Sequence, residues 1–164
     1  MLFCFLAAAN VFAREKHIAA GINHSLYVDV KGNVWTWGNT NLSSNPDERV
    51  PYLSMQKGRA VFASPEEHIS YVIKQDGSLW GWGATGYGQL GIIREIGSKT
   101  GRFLPEPRKI MDQVADVSGR GTIFALRPDG TLWVWGNASI QRGDTGKKDW
   151  TRPHKVMDGV AQVS

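Results

Sequence analysis

Along this chain, short runs of strand-forming residues alternate with tight polar turns, and the alternation recurs. Ser25-Leu26-Tyr27-Val28, Ser70-Tyr71-Val72-Ile73 and Ile123-Phe124-Ala125-Leu126 each lead into a glycine turn. Those turns read Lys31-Gly32-Asn33, Asp76-Gly77-Ser78 and Asp129-Gly130-Thr131. A second apolar run follows each one: Val34-Trp35-Thr36-Trp37-Gly38, Leu79-Trp80-Gly81-Trp82-Gly83 and Leu132-Trp133-Val134-Trp135-Gly136. Two apolar runs joined in this way predict a β-hairpin, because glycine and asparagine accept the positive φ that such turns need. Gly and Pro interrupt every window long enough to hold an ordinary helix.

Side chains alternate between faces along a strand, so the two tryptophans of each motif share one face. The other face carries Val34 with Thr36, Leu79 with Gly81, and Leu132 with Val134. Both faces are largely apolar, which predicts sheets covered on both sides by their neighbours. On this reading the tryptophans are buried packing between neighbouring sheets. The closing glycines Gly38, Gly83 and Gly136 mark strand ends or close backbone approaches.

The turn glycines Gly32, Gly77 and Gly130 are 45 and 53 residues apart, a period that belongs to stacked repeat architectures. A proline four residues before a methionine also recurs, as Pro51 and Met55, Pro107 and Met111, and Pro153 and Met157. The segment from Lys109 to Ser118 returns almost unchanged from Lys155 to Ser164, so the chain stops as a fourth repeat begins. A longer natural product is therefore expected.

His24-Ser25-Leu26, the Asp-Gly turn, the Trp-x-Trp-Gly strand and Gly86-Tyr87-Gly88-Gln89-Leu90-Gly91 resemble the regulator of chromosome condensation repeat. The resemblance covers about residues 18–164. It is fullest in the second repeat, whereas the first has Asn39-Thr40-Asn41-Leu42 in place of the Gly-Gln-Leu-Gly ending, and the third has only Gln141-Arg142-Gly143. It implies a β-propeller of about seven four-stranded blades, one per repeat. The expected fold is all-β, a partial propeller of three four-stranded blades plus the first strand of a fourth. Repeats are expected at 18–59, 60–113 and 114–159, with the fourth starting over 160–164. An open arc leaves an apolar face and a strand edge uncovered, so further blades or self-association are expected to cover it.

Residues 1–13 form a separate segment, apolar from Leu2 to Ala13 except for Asn10, with charge beginning at Arg14. This pattern reads as a secretory signal peptide lacking its basic start, and it is too short to span a bilayer as a helix. A hydrophobic strand or helix of a preceding blade is the other reading. The signal reading places the protein outside the cytoplasm, secreted or in the periplasm or envelope, and the other leaves it cytoplasmic. Cys4, the one cysteine, would be removed with the signal.

The formal charge of +4 is mild, and the basic residues after the tryptophan strands are interspersed with acids. Nucleic acid is not an expected partner, because no basic tail is present to release counterions. The four histidines have no metal-ligand spacing. Gly81-x-Gly83-x-x-Gly86 matches a dinucleotide-binding pattern but opens no helix to hold a phosphate. Neither an enzyme nor a cofactor is expected. The segments 39–50, 84–104 and 137–152 vary in length within a constant frame, which suits loops that contact a protein partner. Within them Tyr87 and Trp150 are the candidate contact anchors, the other readings being that Tyr87 packs on its own glycine loop and that Trp150 caps the blade edge. Arg142, Lys147 and Lys148 are candidates for a basic rim, against the reading of an ordinary solvated loop of mixed charge.

The expected function is a non-enzymatic secreted or envelope scaffold for an unknown protein partner. The resemblance implies two alternatives: an intracellular guanine-nucleotide exchange factor that binds chromatin, and a secreted bacterial propeller that inhibits an enzyme such as a β-lactamase.

Overall fold

A computed structural model of the chain describes residues 15–40, 47–65, 67–86, 88–91, 103–137 and 150–164. Segment 1–13 lies outside the described residues, and so does the expected signal sequence. Strands β1 (Ile18–Ala20), β2 (His24–Val28), β3 (Val34–Gly38) and β4 (Tyr52–Met55) form the first sheet, blade 1. Blade 2 contains β5 (Gly58–Ala63), β6 (Ile69–Lys74), β7 (Leu79–Ala84) and β8 (Phe103–Met111). Blade 3 contains β9 (Asp116–Arg120), β10 (Thr122–Leu126), β11 (Leu132–Gly136) and β12 (His154–Met157). Each blade is an antiparallel meander in chain order, so the expected all-β arc of three four-stranded blades is the observed architecture.

One local geometry builds all three central hairpins. The N–H groups of Gly32, Gly77 and Gly130 bond the carbonyls of Asp29, Lys74 and Arg127, three residues back, at 2.9, 2.9 and 3.0 Å. The glycine that closes each tryptophan strand is equally constrained, with φ of 83°, 107° and 93° at Gly38, Gly83 and Gly136. A Cβ on Gly83 would also overlap the His68 carbonyl oxygen, so only glycine fits this end of the strand. The same irregularity then recurs where the third strand meets the fourth. Val34 faces Met55 but Trp35 faces Leu53, Leu79 faces Met111 but Trp80 faces Lys109, and Leu132 faces Met157 but Trp133 faces Lys155. The extra residue is a β-bulge, which increases strand twist at the same level of every blade.

The core is the seam between blades. Leu26, Val28 and Val34 of blade 1 pack with Val61, Ala63, Val72 and Trp82 of blade 2. The larger seam joins Ile69, Tyr71, Ile73 and Leu79 of blade 2 to Val117, Ile123, Ala125 and Trp135 of blade 3. Leu90 enters this second seam and is 1% exposed. Its neighbour Gln89 turns its carbonyl to accept hydrogen bonds from the Tyr71 hydroxyl and the Trp135 indole N–H. The Gln89 amide donates to both Glu67 carboxylate oxygens at 2.7 Å. Burial raises the Glu67 carboxyl above its usual value. Burial, reinforced by the Glu67 charge, raises the Tyr71 phenol well above its own.

Repeat-equivalent positions show what a neighbouring blade does. Trp82 and Trp135 are fully buried, whereas Trp37, in the same slot on the outer face of blade 1, is half-buried. At the opposite end of the arc Met157 is 56% exposed, while its blade 2 counterpart Met111 is 8% exposed beneath blade 3. The expectation that all six motif tryptophans are buried is therefore corrected. Only Trp82 and Trp135 are, because the first tryptophan of each motif sits at the rim and Trp37 has no described neighbour above it.

The expected fourth-blade strand at 160–164 is also corrected. Val160 N–H bonds the Gly130 carbonyl at 3.0 Å, as Val114 bonds Gly77 and Gly58 bonds Gly32 where the chain passes between blades. Beyond that point residues 160–164 form no ladder, and a strand exists only through its partner.

Candidate functional site

The first tryptophan of each motif marks a repeated polar device at the rim of the blade. In blade 2 the Trp80 indole N–H donates to Ser78 Oγ at 2.9 Å, and that hydroxyl donates to Asp76 Oδ1 at 2.6 Å. Lys74 Nζ stands 4.3 Å from the Trp80 ring centroid. Blade 3 repeats the arrangement, with Trp133 on Thr131 at 3.1 Å, Thr131 on Asp129 at 2.7 Å, and Arg127 4.3 Å over the ring. A cation over an indole face is attracted by the ring quadrupole, and Trp is the best of the aromatic acceptors. The hydrogen bond from Ser78 holds the Asp76 carboxyl below its usual value, and the bond from Thr131 does the same for Asp129.

Blade 1 builds the corner differently. Asp29 occupies the position of Lys74 and Arg127, and Lys31 that of Asp76 and Asp129. The Trp35 indole N–H donates directly to Asp29 Oδ2 at 3.2 Å. The backbone N–H groups of Lys31 and Asn33 donate to Asp29 Oδ1, and the Asn33 amide donates to Oδ2 at 2.8 Å. These donors, the Asn33 side chain foremost, lower the Asp29 carboxyl to about 2. Asp29 is therefore a fixed anion throughout the neutral range.

Trp35 belongs to a row that crosses the whole sheet. Ile18 pairs with Tyr27, Tyr27 with Trp35, and Trp35 with Leu53, so all four share one face. Ile18, Tyr27 and Leu53 are 69%, 39% and 38% exposed. The equivalent row in blade 2 is Val61, Val72, Trp80 and Lys109, and in blade 3 it is Val117, Ala125, Trp133 and Lys155. In those blades the fourth-strand lysine is engaged, Lys109 with Asp112 and Lys155 with Asp158, each at 2.6 Å. Blade 1 thus shows a bulkier row in which leucine replaces the lysine.

Sequence reasoning had chosen other residues. Trp150, a candidate for contact anchor or for cap on the blade edge, is 6% exposed and packs on Val134 with Phe124, Leu132 and Val156. Its backbone carbonyl accepts from Gly136 N–H at 2.7 Å, which fixes it as a cover over blade 3. Tyr87, Arg142, Lys147 and Lys148 lie outside the described residues. The signal for the blade 1 corner was present in the sequence: aligning the three turns exposes the reversed order of charges at Asp29 and Lys31.

An open hollow of about 400 Å³ lies against Phe62, Pro65, Ser118, Arg120 and Phe124 on the first strands of blades 2 and 3 and their flanks. His24, buried between blades 1 and 2, has its pKa lowered by that burial and further by the neighbouring His68. Among the described residues no group of three or more His, Cys, Asp or Glu could hold a metal ion. No helix among them is long and apolar enough to cross a membrane.

Residues 16–43 match the family model described as Regulator of chromosome condensation (RCC1) repeat. The ultraviolet-B receptor UVR8 of Arabidopsis thaliana is 34% identical over 157 residues, covering 87% of this chain and 34% of the receptor. The E3 ubiquitin-protein ligase HERC2 of Homo sapiens is 29% identical over 153 residues, covering 88% of this chain and 3% of the ligase. The chain thus spans about a third or less of these curated relatives. Among solved structures, yeast RCC1 (Prp20) bound to Kap60 superposes with a TM-score of 0.69 at 22% identity, covering 88% of this chain and 37% of that one. Prp20p from Saccharomyces cerevisiae, described with its binding properties to Gsp1p and histones, gives 0.67 at 18% identity, covering 90% of this chain and 40% of that one. These likenesses establish the fold.

Proposed function

We propose that this chain is a member of the regulator of chromosome condensation repeat family, as the match of residues 16–43 and the shared fold support, and that it is a non-enzymatic scaffold whose blades present loops to a protein partner. One observation carries the reading. Three blades share the same turns, bulges and seams, yet the connections from third to fourth strand, 39–51, 85–102 and 137–153, differ in length and sequence. The antiparallel meander sends all three out at the same end of the blades. A rigid frame with variable loops at one end is the usual arrangement of a recognition surface.

The relatives favour a regulatory setting over a secreted one. They are named as a ubiquitin ligase and a light receptor, and the solved yeast protein is described with Kap60, Gsp1p and histones. An exchange-factor or chromatin-binding role is accordingly the second reading. Secretion and β-lactamase inhibition draw their support from residues 1–13 and from the repeat resemblance, and the named relatives add none.

A loop exchange tests the scaffold. The full chain and a variant whose 85–102 connection is replaced by that of 39–51 are compared in partner capture by crosslinking. The expected result is that captured partners are lost in the variant while its thermal unfolding is preserved. Capture that survives the exchange would place recognition elsewhere and contradict the loop reading.

A further inference from the structure

The residues Gly88–Gly91 follow the third strand of blade 2 and lie against blade 3. A Cβ on Gly88 would stand 2.8 Å from the Thr151 Cα, and one on Gly91 would stand 2.7 Å from the Ile110 side chain and 3.3 Å from Pro153. Both glycines have positive φ, 78° and 66°, and the Gly91 N–H bonds the Gly88 carbonyl at 2.9 Å. Between them Leu90 fills the seam, and the Gln89 carbonyl accepts from the Tyr71 hydroxyl of blade 2 and the Trp135 indole N–H of blade 3. The segment is a strap. It joins the base of the 85–102 connection to Thr151 and Pro153, at the base of 137–153.

One side chain from elsewhere in blade 2 grips this strap. The Gln89 amide nitrogen donates to both carboxylate oxygens of Glu67 at 2.7 Å, and Gln89 is 1% exposed. Glu67 precedes β6, in the connection from the first strand of the blade. We propose that Glu67 is a positioning residue for the recognition surface, which through Gln89 holds the strap and so keeps the bases of the 85–102 and 137–153 connections in one arrangement. The proposal deepens the scaffold reading and rests on it for its purpose, while the strap itself is tested without a partner.

The sibling blades show that these parts belong together. Aligning the three repeats puts Ile22 and Arg120 in the place of Glu67, and Leu26 and Phe124 in the place of Tyr71. The Gly-Gln-Leu-Gly sequence is likewise complete only in the second repeat. Carboxylate, phenol and strap therefore occur in the same blade, although the other two form the same four-stranded sheet without them. Burial raises the Glu67 carboxyl above its usual value, so an anion here is costly. A hydrogen bond to a charged group offsets that cost and is stronger than one between neutral partners. The Tyr71 phenol, which senses the Glu67 charge, stays neutral.

The test reads hydrogen exchange in the full chain at the Gly91 amide and the Trp135 indole. The Val114 amide, bonded to the Gly77 carbonyl at the opposite end of the blades, is the control. Glu67→Ala takes both acceptors from the Gln89 nitrogen. It should speed exchange at Gly91 and Trp135 by about tenfold or more, the equivalent of one hydrogen bond to a charged group, and leave Val114 as in the parent. Glu67→Gln keeps one acceptor oxygen and should stay within about threefold of the parent.

Gln89→Glu sets a second carboxylate against Glu67, and two carboxylates sharing a site resist ionising together. Its Gly91 exchange is taken as a ratio to the parent at the same pH, which removes the titration of groups common to both, His68 among them. The ratio should be high in weakly alkaline solution and fall toward one as the pair takes up a proton on acidification. That profile decides the matter even where Glu67→Ala fails to fold, because a side chain that only fills space has no such pH dependence. Unchanged Gly91 exchange in a folded Glu67→Ala, or a Gln89→Glu ratio that does not vary with pH, would overturn the strap. In partner capture by crosslinking, Glu67→Ala should lose what replacing the 85–102 connection loses, and Glu67→Gln should keep it. Capture retained in Glu67→Ala beside fast Gly91 exchange would overturn the role of Glu67 in the surface. Capture that survives replacement of the 85–102 connection contradicts the scaffold reading instead, and leaves the strap to stand or fall on Gly91.

Discussion

Replacing Trp135 with alanine is expected to destabilise the chain by about 3–5 kcal/mol, the range for truncating a buried aromatic side chain. The indole is fully buried among Ile69, Tyr71, Ile73 and Leu90, at the centre of the seam between blades 2 and 3. Its loss leaves a cavity bounded by two sheets that are held at their own spacing by backbone ladders, so collapse is limited. It also removes a donor to the Gln89 carbonyl, to which the Tyr71 hydroxyl donates as well, at 2.6 Å. Net stability in a domain of this size is only about 5–15 kcal/mol, so a change of this magnitude decides whether the arc stays folded. Trp37→Ala supplies the control, being the same motif position on the outer face of blade 1, where the ring is half-buried. Its expected cost is about 1 kcal/mol, in keeping with the smaller apolar area removed. Denaturant unfolding followed by circular dichroism reads both values. Equal costs at the two positions would mean that a neighbouring blade is not what gives the second tryptophan its energetic role.

Gly83→Ala is the second large effect, at roughly 3 kcal/mol. It adds a single methyl group, so the mechanism is backbone geometry rather than lost contact. Gly83 has φ of +107°, where an L side chain is strained, and its Cβ would overlap the carbonyl oxygen of His68. That carbonyl also accepts from Ala84 N–H at 2.9 Å, so it cannot move aside without breaking the exit of β7. The comparison variant is Gly86→Ala, since nothing lies within 4 Å of a Cβ built at Gly86. It should cost well under about 1 kcal/mol, as a surface change does. Thermal unfolding distinguishes them: the Gly83 variant should melt much lower, and the Gly86 variant close to the parent.

Both effects were legible in the sequence in kind, and less so in detail. The recurrence of Trp-x-Trp-Gly after a glycine turn predicted hairpins, shared faces and a stacked arc, because those features depend only on strand period and turn chemistry. The different fates of the two tryptophans were not legible. Trp80 and Trp82 share a face, yet Trp80 sits at the rim beside Ser78 and Lys74 while Trp82 lies deep in the seam. Depth along a strand depends on where the neighbouring blade ends, which is a tertiary fact. Which of the two readings of Trp150 holds, contact anchor or cap on the blade edge, was not legible for the same reason. Outside the motif it looked like a loop residue, but the hydrogen bond from Gly136 draws its backbone back to the sheet and lays its ring on Val134. The blade 1 corner was in plain view as Asp29 and Lys31 against Lys74 and Asp76. Its meaning required knowing that the first position of the turn stands over the tryptophan ring.

Hydrogen exchange of the indole N–H groups tests the stacked-blade account most directly, because each motif tryptophan reports its own slot. The account predicts the slowest exchange at Trp82 and Trp135, which are sealed within the two seams. Trp37, equivalent in sequence but open on blade 1, should exchange faster by about tenfold or more. Protection of Trp37 equal to that of Trp82 and Trp135 would contradict the account, since burial in this slot would then be independent of a neighbouring blade.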